Sequence, residues 1–254
     1  MVKARYSTWI RKKKIALFFF LAAGLIILSF VTPNLILRAI FALAALPFIY
    51  ISFILFYSYY QFSNFGGNYQ ARLHDLIVKN IRIQNGKLLD IGTGSGELIV
   101  KAAREFPGLS LTGIDYWGNE WEYSQKQCES NALIEGVANR ITFSRGSAAK
   151  LQFENEAFDI VVSCLTFHEV KDAANKLEVI KEALRVLKKD GQFVFLDLFL
   201  DENKFGTYNE FVHFFKAMEV STIKIEKLNA IIRLPSLLQK RKVLGMALVV
   251  KGIK

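Results

Sequence analysis

The chain opens with two long uncharged stretches, residues 15–37 and residues 39–71. At about 1.5 Å per residue, a helix over 15–31 is about 25 Å long, slightly short of a hydrocarbon core of about 30 Å. A helix over 35–60 is long enough to cross that core. Thr32-Pro33-Asn34 lies between the two and favours a tight turn. The pattern therefore predicts a membrane anchor over residues 1–60, made of two transmembrane helices.

Six Lys and Arg residues precede the first apolar stretch. Such a basic flank holds the N-terminus in the cytoplasm, and a second span returns the chain to the same side. We expect a multi-pass membrane protein whose remaining part is cytoplasmic. Two alternatives stay open: a signal peptide, which shares the basic start and the apolar run, and a hairpin that dips into the bilayer without crossing it.

Residues 61–80 read as a joint that contains Phe65-Gly66-Gly67-Asn68 and a first helix over 69–80. Beyond it, period-two and helical patterns alternate. The predicted strands are 87–91, 109–114, 140–144, 158–164, 192–199, 221–228 and 243–251, and the predicted helices are 97–105, 119–135 and 173–188. This alternation predicts an α/β domain over 81–254, with a mainly parallel sheet and a ligand site at the carboxyl ends of its strands.

The net charge of +10 is concentrated in the predicted anchor. Seven of the 33 Lys and Arg residues, and no acidic residue, fall in residues 1–60, so the rest of the chain has 26 basic against 23 acidic side chains. This near balance argues against a nucleic-acid partner. The two cysteines, Cys128 and Cys164, lie in apolar periodic segments and are predicted to be buried free thiols, and we expect no metal site.

The most informative segment runs from a predicted strand into glycines at every second position, Gly92, Gly94 and Gly96. Glycines there allow positive φ and close approach of the backbone to a ligand. A dinucleotide-binding loop would read G-x-G-x-x-G, and no Gly-Lys-Ser/Thr follows to make a P-loop. Asp90, which precedes the glycines, would repel an anion and attract a cationic ligand with an ammonium group.

This stretch resembles motif I of class I S-adenosylmethionine-dependent methyltransferases. Residues 111–115, 158–164 and 183–192 resemble the second strand, the fourth strand and the turn into the fifth strand of that family, in the same order. The sequence is similar to its quinone and small-molecule branch. The resemblance covers about residues 70–200 and implies a seven-stranded Rossmann-like sheet with helices on both faces and S-adenosylmethionine as the cofactor.

The resemblance also implies which residues contact the cofactor. They are Asp90, Gly92, Thr93, Gly94, Gly96, Asp115, Tyr116, Ser147, Ala148 and Cys164. In the family, the acid at the position of Asp115 holds the ribose hydroxyls. Tyr116 follows it directly and packs either on the adenine or in the core. Ser147 occupies the position where an acid often contacts the adenine amino group, so we expect that contact to be weakened.

His168, just past the fourth predicted strand, is the expected general base, with Glu169 as a possible orienting partner. Packing or capping is the alternative role for this histidine. Five aromatic residues at helical spacing form either a core face or a lid over an apolar acceptor. They are Phe205, Tyr208, Phe211, Phe214 and Phe215.

These observations predict a membrane-anchored methyltransferase, with the lipid bilayer as a partner. We expect it to act on an apolar or lipid-like small molecule at the cytoplasmic membrane surface, because the anchor confines the site to the layer where such molecules partition. Two alternatives remain. One is a methyltransferase for a soluble small molecule or a protein, and the other is a non-catalytic cofactor-binding membrane protein, which Ser147 alone supports.

Overall fold

A computed structural model describes residues 3–118, 121–241 and 243–254 of the chain. The chain divides into two compact units. Residues 8–70 form one unit, the hairpin unit, and the residues up to Ser7 join residues 71–254 in the other, the sheet unit. The sequence pattern did not predict that residues 3–7 belong with the sheet.

The hairpin unit consists of α1 (Lys12–Val31) and α2 (Leu35–Phe62), which pack against each other. Asn34 caps α2, because its side-chain oxygen accepts hydrogen bonds from the backbone N–H groups of Ile36 and Leu37 at 2.9 and 3.1 Å. The predicted turn is therefore present. Both helices are long and apolar enough to cross a membrane, with a mean hydropathy of 2.5.

The elements of the sheet unit follow one another as strand and helix. The helices are α3 (Tyr69–Lys79), which begins at the edge of the hairpin unit, α4 (Glu97–Glu105), α5 (Gln125–Ile134), α6 (Lys176–Val186), α7 (Glu202–Phe205), α8 (Tyr208–Ala217) and α9 (Leu228–Ile231). The strands are β1 (Asn85–Ile91), β2 (Gly108–Asp115), β3 (Ile141–Arg145), β4 (Phe158–Cys164), β5 (Leu187–Asp197), β6 (Thr222–Lys227) and β7 (Leu248–Ile253).

The described strands form one seven-stranded sheet in the order β3-β2-β1-β4-β5-β7-β6. β1 to β5 are parallel, and β7 is antiparallel to both of its neighbours. The predicted Rossmann-like sheet is confirmed. The strand order reverses between β1 and β4, and ligands of such sheets bind at the carboxyl ends next to this point.

The boundaries of three elements differ most from the sequence prediction. The helix predicted over 119–135 begins at Gln125, where the Ser124 hydroxyl caps it; residues 119 and 120 lie outside the described residues. β5 runs from Leu187 to Asp197 and ends two residues before the predicted boundary. β7 begins at Leu248 and not at residue 243, because buried Leu244 and the residues after it lie in turns whose N–H groups donate to nearby carbonyl oxygens.

Three of the five aromatic residues of the stripe belong to the core, whereas Tyr208 is exposed and Phe214 is half-buried. Phe205, Phe211 and Phe215 are fully buried and pack edge to face or stacked with Phe199 and Phe193 at ring distances of 4.9 to 5.8 Å. The core interpretation is therefore confirmed for these three residues, and they do not form a lid. Cys128 and Cys164 are buried free thiols, as predicted.

Candidate cofactor and active site

The glycine loop, residues 92–96, has the backbone conformation that its sequence predicted. Gly92, Gly94 and Gly96 have φ values of +78°, +58° and +83°. A Cβ atom on Gly92 would lie 2.0 Å from the hydroxyl of Thr166, in the segment that follows β4. The loops after β1 and β4 therefore meet at this glycine, and a side chain there would force them apart.

The segment after β2 holds the middle of the glycine loop in place. The N–H of Gly94 donates to Asp115 Oδ2 at 2.9 Å. Its carbonyl oxygen accepts from the indole N–H of Trp117 at 2.9 Å and from the thiol of Cys128 at 3.0 Å. The sequence did not mark Trp117 or Cys128 as parts of the site, since each looked like a packing residue.

Asp90 lies at the end of β1 with 1% of its surface exposed. Within the described residues, neither of its carboxylate oxygens has a hydrogen-bond partner, and the same holds for the buried hydroxyl of Thr93. Burial raises the pKa of Asp90 to about 7, although Thr93 and His74 lower it. A buried carboxyl with unused oxygens beside a glycine loop fits a ligand that brings a cationic ammonium group.

Asp115 has its two carboxylate oxygens engaged by the N–H groups of Gly94 and Trp117 at 2.9 and 2.8 Å. Burial raises the pKa of Asp115, while these backbone donors lower it. Each oxygen keeps a free lone pair, which suits the ribose hydroxyls expected there. Tyr116 is 64% exposed and faces the guanidinium of Arg145 at 5.3 Å, so one face of its ring is in a cation–π contact.

Ser147 has a partner that the sequence did not suggest. Its hydroxyl donates to Asp172 Oδ2 at 2.5 Å and accepts from the N–H of Ala149 at 3.0 Å. A carboxylate thus lies beside position 147, although Asp172 comes 25 residues further along the chain. Ala148, beside it, is buried. A sequence pattern could not show this pair, because the fold alone brings the two loops together.

Residues 3–7, here called the N-terminal strap, lie on the glycine loop and α5. The N–H of Ser7 donates to the hydroxyl of Ser95 at 3.2 Å. Asn131 of α5 accepts from the N–H of Arg5 at 2.9 Å and donates to the carbonyl oxygens of Arg5 and Ser95 at 2.8 and 2.9 Å. Asn131 therefore joins the strap to the loop. Burial raises the pKa of Tyr6, the residue between these contacts.

His168 stands at the carboxyl edge of the sheet between β4 and β5. Its Nδ1 lies 2.5 Å from Oδ1 of Asp197, which is fully buried at the end of β5, and its Nε2 lies 3.6 Å from Glu169. Burial lowers the pKa of His168, but the charge and hydrogen bond of Asp197, together with Glu169, outweigh burial and Lys204 and raise it. The sequence pointed to His168 and Glu169 but missed Asp197.

The carboxyl ends of β1, β2, β4 and β5 thus bring most of the predicted residues to one edge. Asp90 lies near the end of β1, and Cys164 ends the adjacent strand β4. Burial, together with the nearby charges of Asp90 and Asp197, raises the pKa of the Cys164 thiol well above its usual value. Within the described residues, no group of three or more His, Cys, Asp or Glu residues could hold a metal ion. The arrangement can bind a cationic ligand and can accept a proton at His168.

Comparisons with known proteins agree with this geometry. Residues 89–195 match a family model described as a methyltransferase domain. A ubiquinone/menaquinone biosynthesis C-methyltransferase of Geotalea daltonii is 29% identical over 140 residues, which is 54% of this chain and 56% of that protein. A demethylmenaquinone methyltransferase of Thermotoga maritima is 28% identical, over 51% of this chain and 50% of that protein.

This chain carries a class I S-adenosylmethionine-dependent methyltransferase domain. It spans about half the length of the curated relatives it matches. Among solved structures, the domain resembles a geranyl diphosphate methyltransferase, with a TM-score of 0.54 and 12% identity over 72% of this chain and 77% of the other. It also resembles the [4+2]-cyclase SpnF, with a TM-score of 0.52 and 19% identity over 72% and 80% of the two chains.

The cyclase shows that the fold of a methyltransferase domain does not by itself fix the reaction. The site must decide it. Asp90, the three positive-φ glycines and Asp115 fit S-adenosylmethionine, because they offer an anionic group, a close backbone approach and free carboxylate lone pairs. These residues include no cationic side chain that would bind the anionic pyrophosphate of a dinucleotide.

Proposed function

We propose that the protein is a membrane-anchored methyltransferase that acts on an apolar, quinol-like small molecule at the cytoplasmic membrane surface. The observation that carries this proposal is the presence, in one chain, of a methyltransferase domain and of two helices that are long and apolar enough to cross a membrane. An anchored enzyme and an acceptor that partitions into the bilayer share one thin layer, which raises their effective concentration.

The names of the relatives support the acceptor class. By their descriptions, the relatives named above are a ubiquinone/menaquinone biosynthesis C-methyltransferase and a demethylmenaquinone methyltransferase. The family match, residues 89–195, runs from the end of β1 through the glycine loop into β5. The large exposed apolar residues of α1 and α2 support the anchor, because such surfaces are not left in water. The basic residues before α1 support a cytoplasmic domain.

S-adenosylmethionine supplies an electrophilic methyl group when it is bound. The chain's own residues hold and activate the two reactants. Asp90 and the glycine loop would hold the methionine end, and Asp115 the ribose. The Nδ1 of His168 faces Asp197, and its Nε2 would accept a proton from an aromatic hydroxyl. Loss of that proton makes the ring more nucleophilic, so general-base catalysis by His168 suits an acceptor of quinol type.

The test uses the full chain reconstituted in lipid vesicles, with radiolabelled S-adenosylmethionine and two quinols that lack one methyl group. One quinol has a long isoprenoid tail and the other a short, water-soluble one. We expect label in the lipid extract and at least a tenfold preference, per added quinol, for the long-tailed acceptor. The variant His168→Gln should lose most of this turnover, whereas His213→Gln, which changes an exposed histidine on α8, should keep it.

A parallel reaction replaces the quinols with cytosolic extract, and label that appears only there, in a water-soluble product, would replace this proposal with the soluble-acceptor alternative. Binding of S-adenosylmethionine without turnover of either quinol or of the extract would favour a non-catalytic protein. Equal turnover of both quinols would contradict the proposal that the acceptor lies in the membrane, but it would still support an acceptor of quinol type.

A further inference from the structure

Asp197 is a buried carboxylate whose hydrogen bonds are directed at the segment after β4. Its Oδ2 accepts from the N–H of Phe167 at 2.7 Å, and its Oδ1 accepts from the N–H of Leu198 at 2.7 Å. The same Oδ1 lies 2.5 Å from Nδ1 of His168. Asp197 therefore fixes both the backbone before the histidine and the ring itself.

A second contact holds the backbone of His168 through its carbonyl group. The ammonium group of Lys204, on α7, donates to the carbonyl oxygen of His168 at 2.8 Å. The backbone at Leu165, which leads into this segment, has a φ of +53°, a conformation that a leucine rarely adopts. Such backbone strain persists only where the surroundings enforce it. These contacts hold the segment after β4, and with it the imidazole of His168, in place.

We propose that Asp197 is a positioning residue that keeps a proton on Nδ1 of His168 and so leaves Nε2 as the single basic nitrogen facing the acceptor. The assignment follows from counting the hydrogen-bond donors and acceptors at Asp197. A carboxylate that already accepts two backbone N–H groups and is closed off from water takes a third hydrogen bond only from a donor. The Nδ1–H tautomer is thereby selected, and the imidazolium that forms after proton transfer is stabilised by the adjacent charge.

The charged groups near this imidazole determine how the pKa of His168 should respond to a substitution. Asp197 on β5 and Glu169 on the same turn favour the protonated ring, while burial and Lys204 on α7 oppose it. Without the charge of Asp197, burial and Lys204, which lower the pKa of His168, are opposed only by Glu169 among these groups. In the variant Asp197→Asn, the pKa of His168 should therefore fall, and the acidic limb of the rate profile should move to lower pH by the same amount.

This inference rests on the proposed role of His168 as general base, and the test separates the two. Full-length protein labelled at its histidines is titrated by NMR, with the His168 signal assigned by its absence in His168→Gln. This readout needs no acceptor. Turnover on the long-tailed quinol is then measured against pH. Asp197→Asn should lower the plateau kcat by about 10- to 1,000-fold and leave the affinity for S-adenosylmethionine within about twofold.

A matched control makes the same chemical change at the other end of the sheet. Asp159 accepts from the N–H of Lys87 at 2.8 Å and from the ammonium of Lys188 at 2.7 Å, near the start of β4. Asp159→Asn should leave both the His168 titration and the rate profile in place. Asp197→Glu, which keeps the charge, should restore part of the pKa and of the rate.

Two outcomes would overturn the proposal. One is a His168 titration that does not move in Asp197→Asn while the rate falls at all pH values by one factor, as a purely structural role predicts. The other is a wild-type ring that carries its proton on Nε2, read from its nitrogen shifts, which stays decisive if Asp197→Asn fails to fold. A shifted titration with no quinol turnover would sustain the role of Asp197 and count against the proposed function alone.

Discussion

Asp90 shows how a single residue can favour ligand binding at the expense of stability. Its carboxyl is buried, and its pKa of about 7 lies well above the ordinary value of 3.8 because burial disfavours the charge. The folded, ligand-free protein therefore holds a proton there that the unfolded chain has already released near pH 4. The free energy of unfolding falls as the pH rises from about 4 to about 7, and a bound cation compensates for that loss.

The variant Asp90→Asn should show two effects of opposite sign. At pH 8, denaturant unfolding of the ligand-free protein should give a free energy of unfolding higher by about 1–3 kcal/mol, and this gain should vanish near pH 4. Calorimetry should show much weaker binding of S-adenosylmethionine. In the control Asp159→Asn, where Lys188 helps to lower the pKa, the stability change should have the reverse sign. Loss of stability at pH 8 in Asp90→Asn would contradict this account.

Asp115 accepts hydrogen bonds from the glycine loop, and we expect it to accept hydrogen bonds from the ligand as well. Asp115→Ala removes the acceptors of the Gly94 and Trp117 N–H groups together with the expected ribose contacts. Binding of S-adenosylmethionine should weaken by about 1.5–3 kcal/mol, a factor of about 10 to 150. Titration calorimetry measures this, and nicotinamide dinucleotides serve as the negative control. Micromolar dinucleotide binding to the wild type would refute the assignment of the loop.

At the scale of elements, the N-terminal strap adds a part to the cofactor site that lies outside the strand and helix pattern. Its contacts with Ser95 and Asn131 reach the backbone of the glycine loop from the side of α5. The sequence placed residues 1–60 in the predicted anchor, apart from the cofactor site. Arg5 and Ser7 belong to that range but contact α5 and the glycine loop, so we expect their removal to weaken cofactor binding.

The variant Asn131→Asp tests the strap without deleting it. The new carboxylate keeps the acceptor for Arg5 but faces the carbonyl oxygens of Arg5 and Ser95 without a donor. We expect faster amide hydrogen exchange over residues 92–98 and a 3- to 30-fold loss of affinity for S-adenosylmethionine. Asn155→Asp is the matched control, since the side-chain oxygen there only accepts from Arg185. Unchanged exchange in the loop would show that the strap does not support it.

The elements show what sequence reasoning can and cannot reach. β1, α4 and β4 were predicted within two residues, because a buried parallel strand and an amphipathic helix each have a clear period. Asp197 was missed because the apolar run extends past it to Phe199, which placed the acid inside a predicted strand and not at its end. Asp172 and the strap depend on contacts between distant residues, which no local pattern contains.

For the whole molecule, the two units differ in the chemistry of their surfaces. The hairpin unit exposes large apolar side chains, whereas the sheet unit buries its apolar residues beneath a surface near charge balance. Both native cysteines lie in the sheet unit, where burial raises the pKa of Cys128 to about 12 and that of Cys164 well above its usual value. They are poorly reactive thiols, so a cysteine introduced elsewhere can be labelled selectively.

This selectivity allows a direct test of topology with Asn34→Cys, in the turn between α1 and α2. If both helices span the membrane, a membrane-impermeant maleimide added outside intact cells should label this thiol, while a tag on the C-terminus should react only after the cells are opened. The native chain is the control and should stay unlabelled. Protection of residue 34 from both sides would favour a hairpin that dips into the bilayer.

The N-terminal strap also fixes when the cofactor loop can be completed during synthesis. Arg5 and its partner Asn131 are 126 residues apart in the chain. At about 5–20 residues per second, a ribosome needs roughly 6–25 s to make that stretch. The strap has no partner during this interval, within which α1 and α2 are completed at residue 62. A nascent chain that stalls before residue 131 therefore has a complete hairpin and an unfinished cofactor loop, so the hairpin is complete before activity can be acquired.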